Sequence, residues 1–481
     1  MVPRLNWKGV LKVIGSLEIV VGLLMLSVPF IDVLTFKPIT LSFLLTSIIL
    51  LIVGYYLQRI EAQEIGLLEG IITTSIAWPL ISFEASIPLM TSLNISFVDA
   101  WFESISGFTG TGFTVLTGID YMKPSIVTWR SIMQWTGELG VVVFAMVLFP
   151  YFYRLGASAY GIERPIKIEA SFYMTARRLI RIYLVLTIAG IIAYVYSGMN
   201  FYEAFNHVLT TIATGGMSTY DAGYQVIFNR APLTYIPVMV FMFLGGMNFV
   251  LLDKLLRGDL GSIWRSEEFR TYFYSMLILI IITILSYIFV DKTSYPYAII
   301  AGAFNLVSAM TTTGFSIGSI SELSTTTKLI LIASMYFGGM VFSTAGGIKS
   351  FRLLIICKKI KHSAVTTLIG GKAEKAMRID GSFIDESEVS QALLFALIHI
   401  LAIFTGAVFM TVYGYSFVDT LFEATSAAGC VGLSAGVIGP ASPLGVKLTI
   451  MTLMLLGRIE YIQLYLVIGF VTGRKIVKVL K

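Results

Sequence analysis

The sequence predicts an all-α polytopic membrane protein in which four pseudo-symmetric repeats of helix, pore helix and helix surround one pore, with two extra transmembrane helices before them. Three observations carry this. Of 481 residues, 56% are hydrophobic and 13% charged, with a mean hydropathy of +0.84, whereas a soluble domain carries about a quarter charged residues. Ten apolar runs come near the roughly 20 residues that a helical crossing needs. A short glycine-ended motif recurs four times, at intervals of 103, 99 and 118 residues.

The first segment, residues 1–60, holds runs at 10–30 and 39–57. Basic residues precede the first run without a small-residue cleavage pattern after it, so it reads as a retained helix. Repeat 1 covers 61–155 with runs at 65–82 and 125–152, and repeat 2 covers 156–257 with runs at 182–197 and 233–252. Repeat 3 covers 258–362 with runs at 272–290 and 328–356, and repeat 4 covers 363–481 with runs at 390–413 and 447–472. Inside each repeat lies an apolar segment too short to cross, near 98–107, 201–211, 297–310 and 417–428. Ten crossings put both termini on one side. If that side is the cytoplasm, 26 Lys and Arg fall inside and seven, Arg130 among them, outside. That bias sets a multi-pass plasma-membrane topology with both termini cytoplasmic.

Other chemistries find little support. Cys357 and Cys430 make no CxxC pair, and His207, His362 and His399 share no metal-binding spacing. No GxxxxGK[ST] phosphate loop occurs. The net charge of +6 is a topology signal rather than a nucleic-acid footprint. Without clustered intramembrane His, Asp or Cys, a membrane enzyme is not expected.

The motifs FVDAWFESISGFTGTGFT, FYEAFNHVLTTIATGGMS, AGAFNLVSAMTTTGFS and FVDTLFEATSAAGCVGLS align on Gly112, Gly215, Gly314 and Gly432. Ten positions before each stands a Phe (Phe102, Phe205, Phe304, Phe422), followed by Glu103, Asn206, Asn305 or Glu423. Non-helical backbone survives at membrane depth only inside protein or along a wet cavity. Four such turns around one axis offer a ring of carbonyl oxygens that can replace a cation's hydration shell, with the negative ends of four half-helices aimed at it. Glycine suits backbone angles that L-residues avoid. Close helix packing alone would also explain one such glycine; four in register favour an ion path.

LGGMNF in repeat 2, GGMVFSTAGGIKSFR in repeat 3 and LGRIE in repeat 4 resemble signatures of the Trk/Ktr/HKT superfamily of potassium transporters. The two N-terminal helices resemble its TrkH-type branch. The resemblance covers essentially the whole chain. It implies K+ as the transported ion, a homodimer with one pore per subunit, and a cytosolic TrkA-like nucleotide-binding ring as partner, so that nucleotide binds the partner and not this chain. Carried over residue by residue, it implies a selectivity filter of Gly110, Thr111, Gly112 and Phe113; Ala213, Thr214, Gly215 and Gly216; Thr312, Thr313, Gly314 and Phe315; and Cys430, Val431, Gly432 and Leu433. K+ would be held by the carbonyls of Thr111, Gly112, Thr214, Gly215, Thr313, Gly314, Val431 and Gly432. The innermost position, where the family favours Thr, reads Gly110, Ala213, Thr312 and Cys430, one hydroxyl of four. Cys430 reads as a small apolar filler rather than a redox group.

The second helix of repeat 3 is interrupted by Gly338, Gly339, Gly346 and Gly347 around Ser343, Thr344 and Ala345, too glycine-rich to stay helical unaided. The resemblance makes this the intramembrane gate, with Lys349 at its cytosolic edge or simply snorkelling to the surface. Basic loops at 151–181, 253–270 and 349–388 are positive-inside anchors or a docking surface for the ring. Superposing the second helices places Glu138, Gly246, Gly339 and Arg458 at one depth, 26, 31, 25 and 26 residues past the aligned glycines. An intramembrane acid is costly unless paired or wet, so Glu138 is expected to pair with Arg458 below the filter, or else to bond backbone or water. Glu460 is assigned to the interface. The expectation is K+ uptake through a backbone-carbonyl filter; an alternating-access, cation-coupled carrier is the alternative, since broken helices also build carrier sites.

Overall fold

The computed structural model describes residues 5–62, 66–157, 168–368 and 377–461. Two helices, Trp7–Ser27 and Leu41–Gln58, form the N-terminal pair, joined through a short helix, Pro29–Leu34. They lie close because Gly15 and Gly54 face each other: a β-carbon on Gly54 would come within 2.8 Å of the Gly15 carbonyl. Small residues of this kind substitute for a hydrophobic driving force inside lipid.

Each repeat then supplies a first helix, a half-helix and a second helix. The first helices are Leu67–Leu93, Ile168–Tyr196, Glu267–Phe289 and Glu386–Thr411. The first of these outruns its predicted 65–82, continuing through Pro79 and Pro88. Neighbouring helices and hydroxyls make proline tolerable at membrane depth. The half-helices are Phe97–Phe108, Phe201–Ile212, Tyr295–Met310 and Phe417–Ala428, within two residues of expectation. Ser96, Asn200 and Ser416 cap three of them, accepting from the backbone N–H of Asp99, Glu203 and Asp419. Capping supplies partners for amides that the first turn leaves open.

The second helices differ most. In repeat 1 it is continuous, Pro124–Ala157. In repeat 2 the expected single span is two pieces, Tyr235–Gly245 and Phe249–Leu256, bent by 118°. The break falls where Gly245 and Gly246 lead to Asn248, whose side chain caps the second piece. In repeat 3, Thr325–Phe337 and Ser350–Leu368 flank the expected break. In repeat 4, Leu444–Arg458 ends in a turn in which Glu460 and Tyr461 take positive φ; the rest of the predicted 447–472 lies outside the described residues. So do parts of the basic loops at 151–181 and 349–388. Among the described residues, six unbroken helices are long and apolar enough to cross a membrane, or seven spans with the bent pair.

Buried apolar clusters fill the seams between repeats 2 and 3, 3 and 4, and 4 and 1, and another binds the N-terminal pair to repeat 1. The core is thus distributed around an axis. A two-stranded hairpin, Arg378–Ile379 with Ser382–Phe383, is tied to the start of a first helix. There the Glu267 N–H donates to Asp380 Oδ1 at 2.7 Å, and the Asp380 N–H to Glu267 Oε1 at 3.0 Å.

Candidate functional site

The four half-helices end in turns whose backbone alternates hand. Gly110, Thr214, Thr312 and Cys430 have φ of +64°, +47°, +57° and +52°; two residues on, Gly112, Gly216, Gly314 and Gly432 have +90°, +72°, +86° and +86°. Between them, Thr111, Gly215, Thr313 and Val431 each donate an N–H to the carbonyl five residues earlier, that of Ser106, Thr210, Ser308 and Ser426. Repeat 2 is therefore shifted by one residue from the sequence alignment. Its central glycine is Gly216, not Gly215, and its innermost residue is Thr214, not Ala213. The innermost level thus reads Gly110, Thr214, Thr312 and Cys430, with two hydroxyls instead of one.

The four turns close on one another. A β-carbon on Gly112 would collide with the Gly215 carbonyl oxygen, one on Gly216 with that of Thr313, one on Gly314 with that of Val431, and one on Gly432 with that of Thr111. Each repeat touches the next, and the fourth returns to the first. The positive φ and the missing side chain are both needed at these four positions. The following residues, Phe113, Met217, Phe315 and Leu433, are all buried.

Polar side chains behind the turns hold them in place. Glu103 accepts from Thr114 Oγ1 and from the Val115 N–H, and pairs with Arg130 Nε at 2.6 Å, both groups buried. Arg130 Nη1 also donates to the Ser218 carbonyl at 2.9 Å, joining repeats 1 and 2. The equivalents of Glu103 are His207, bonded to Ser218 Oγ at 3.0 Å, Asn305, which exchanges hydrogen bonds with the Ile317 backbone, and Glu423, bonded to Ser434 Oγ at 2.5 Å. Arg130, counted from sequence as an outside charge, is thus an internal brace. Gln134, which sequence reasoning passed over, grips repeat 2: its Nε2 donates to the Gly215 carbonyl at 2.6 Å and its Oε1 accepts from the Met217 N–H at 3.0 Å. The missing side chain at Gly215 leaves room for it.

The interrupted helix of repeat 3 lies directly against the innermost level. Thr344 Oγ1 is 2.9 Å from the carbonyls of both Ile212 and Gly245 and 3.3 Å from Thr214 Oγ1. The Gly346 N–H donates to Thr312 Oγ1 at 2.8 Å. Gly338 and Gly347 have positive φ and pack on each other, and Gly339 accepts the Ser350 N–H at 2.9 Å. Ser343 Oγ donates to the Met340 carbonyl at 2.5 Å, and Lys349 Nζ turns back to donate to the Ala345 carbonyl instead of reaching outward. From outside the loop, Glu268 accepts from the Val341 N–H at 2.7 Å and from Ser350 Oγ at 3.1 Å.

Beside this loop the expected intramembrane pair is present. Arg458 Nη1 lies 2.5 Å from Glu138 Oε1, with both side chains buried, and Arg458 Nη2 donates to the Gly137 carbonyl at 3.1 Å. Gly137, Gly245 and Gly457 each press on the last carbonyl of their own half-helix, Phe108, Ile212 and Ala428, so these positions do share a depth. Glu460 is engaged by Arg352 at 2.6 Å, which links the end of repeat 4 to the helix leaving the loop.

A family model described as "TrkH: Cation transport protein" matches residues 37–276 and 271–471. The Trk system potassium uptake protein TrkH of Escherichia coli K12 is 30% identical over 367 residues, 74% of this chain and 76% of that protein. An uncharacterized cation transporter of Methanocaldococcus jannaschii is 29% identical over 95% of this chain and 94% of its own length. The crystal structure of the potassium transporter TrkH from Vibrio parahaemolyticus superposes with a TM-score of 0.87 at 25% identity, covering 98% of this chain and 100% of that one. With the family model spanning most of the sequence and one unbroken fold shared end to end, the chain belongs to the TrkH family of cation transport proteins.

Proposed function

We propose that this chain takes up K+ across the plasma membrane through a filter of backbone carbonyls at the four turns, as a transporter and not an enzyme. The observation that carries the reading is the closed ring in which each central glycine rests on the carbonyl of the next repeat. A ring of oxygens fixed by packing can replace water around a weakly hydrated cation and leave a smaller one poorly fitted. With the corrected register, the two carbonyl levels belong to Thr111, Gly215, Thr313 and Val431, and to Gly112, Gly216, Gly314 and Gly432. The loop from Gly338 to Gly347 is the gate, a reading supported by the bonds of Thr344 and Gly346 to Thr214 and Thr312 at the innermost level. The repeats follow the boundaries 61–155, 156–257, 258–362 and 363–481 after the 1–60 pair. Both termini face the cytoplasm. Two copies form a homodimer, and a cytosolic nucleotide-binding ring acts on the basic face around the helix Ser350–Leu368 and the hairpin. Names of relatives such as "potassium uptake protein" support the ion.

The test is the reversal potential of the reconstituted protein under opposed K+ and Na+ gradients. Gly112→Ser and Gly314→Ser each force a side chain against a neighbouring carbonyl, so each is expected to lower the K+ over Na+ permeability ratio at least tenfold. An unchanged ratio in folded protein overturns the filter.

A further inference from the structure

The innermost level of the candidate filter carries a side chain in three repeats and none in the first. Thr214 and Thr312 direct their hydroxyls to the loop beneath, bonding Thr344 Oγ1 at 3.3 Å and the Gly346 N–H at 2.8 Å, and Cys430 lies buried at the same level. Repeat 1 has Gly110, although φ near +50° is adopted there by Thr, Thr and Cys, so the backbone does not demand glycine. The reason is space: a β-carbon on Gly110 would collide with Glu138 Oε1. A carboxylate from the second helix of repeat 1 has taken the place of the absent side chain.

That carboxylate is only half satisfied. Glu138 is 1% exposed; Oε1 meets Arg458, while Oε2 has no hydrogen-bond partner among the described residues. A buried oxygen bearing negative charge is expensive to leave without a partner. Arg458 offsets the charge of this carboxylate, which suits a conducted ion: an unneutralised carboxylate would trap it, and an unpaired arginine would repel it.

We propose that the Glu138 carboxylate, whose Oε1 stands where a Gly110 side chain would and whose Oε2 is unpartnered among the described residues, is a ligand for the permeating monovalent cation at the loop side of the filter, with Arg458 as its positioning residue. The inference rests on the filter reading. It makes the last site before the gate asymmetric, with hydroxyls from repeats 2 and 3 and a neutralised carboxylate from repeat 1. When the loop withdraws, Thr344 and Gly346 leave the two hydroxyls, and all three oxygens face the ion.

The experiment is anomalous diffraction from crystals of the full chain grown in Tl+. A peak is expected within bonding distance of the Glu138 carboxylate, in addition to peaks between the glycine rings. The peak beside Glu138 should vanish in Glu138→Gly and return in Gly110→Thr/Glu138→Gly, where a hydroxyl occupies the vacated place. Should Glu138→Gly not fold, Glu138→Gln keeps the shape and removes the charge. The Tl+ concentration for half-maximal conductance should then rise about tenfold. Peaks between the rings with none beside Glu138 in the wild-type chain overturn the inference and leave the filter standing. A peak that survives Glu138→Gly, or a half-maximal concentration unmoved in Glu138→Gln, also overturns it. No peak anywhere along the axis removes the filter reading and this inference with it.

Discussion

Thr344 is the loop side chain that, among the described residues, hydrogen-bonds the floor of the candidate filter, beside the Gly346 N–H on Thr312, and replacing it with the near-isosteric valine isolates its share of that tie. Its hydroxyl lies 2.9 Å from two carbonyls, Ile212 and Gly245, and 3.3 Å from Thr214 Oγ1. One proton shared between two acceptors and one accepted bond amount to about two hydrogen bonds, each worth about 1 kcal/mol net. Losing about 2 kcal/mol from the docked state shifts the ratio of displaced to docked loop roughly 30-fold, at tenfold per ~1.4 kcal/mol. A loop displaced about 1% of the time would then be displaced about a quarter of the time. Single-channel recording of the reconstituted protein reads this as open probability, and a thermal melt in detergent verifies the fold. Thr344→Ser restores the hydroxyl and should restore low activity. Unchanged open probability in Thr344→Val, with an unchanged melt, would show that the loop does not obstruct the path.

The same geometry yields further expectations. Glu268→Ala removes the acceptor for the Val341 N–H and Ser350 Oγ; an unsatisfied buried amide costs about 1–3 kcal/mol, so basal Rb+ flux should rise while permeability ratios hold, and a flux at the wild-type level would deny Glu268 a part in seating the loop. Arg130→Met strands the Glu103 carboxylate in the interior, a loss of about 3–5 kcal/mol for a broken buried pair, to be seen as a lower melting temperature; a melt within a degree of wild type would mean the pair carries no stability. The corrected register predicts opposite results at adjacent positions: Thr214→Val should alter conductance and Ala213→Ser should not, measured side by side in bilayers, and the reverse order would restore the original alignment.

The fold is legible because membrane burial leaves a strong mark: runs of apolar residues and a motif whose half-helices begin and end within two residues of expectation. Aligning the motifs on glycine displaces repeat 2 by one residue because Gly215 and Gly216 are adjacent and Phe205 stands ten positions before the first of them. Asp99, Glu203 and Asp419, which stand at the third half-helical position and are fixed there by N-caps, align Gly112, Gly216 and Gly432 without a gap. Capping geometry was a better guide than an aromatic, because an aromatic can face either side of a short helix. The bend after Gly245 was hidden by unbroken hydropathy, although Gly-Gly followed by a capping Asn held the signal. Glu138 with Arg458 was legible because both depart from glycine at symmetry-related positions. Arg130 was not, since a basic residue six positions inside a helix reads the same whether it faces water or a buried glutamate 27 residues away in sequence. The tie between Gln134 and Gly215 depends on a tertiary contact with no local pattern.

The ring is made from one polypeptide, and this governs what can be changed in it. Where four identical subunits meet around an axis, a single codon alters all four quadrants, so an arginine beside the path would be four arginines and a glutamate four glutamates. Here Glu138 stands in one quadrant and Arg458 in the adjacent one, a combination that rotational identity forbids. Duplication within a gene therefore lets each quadrant drift separately, with each substitution weighing on a quarter of the ring. The same freedom is open to design: charge, size or a spectroscopic label can be placed in one quadrant while the other three stay as they are.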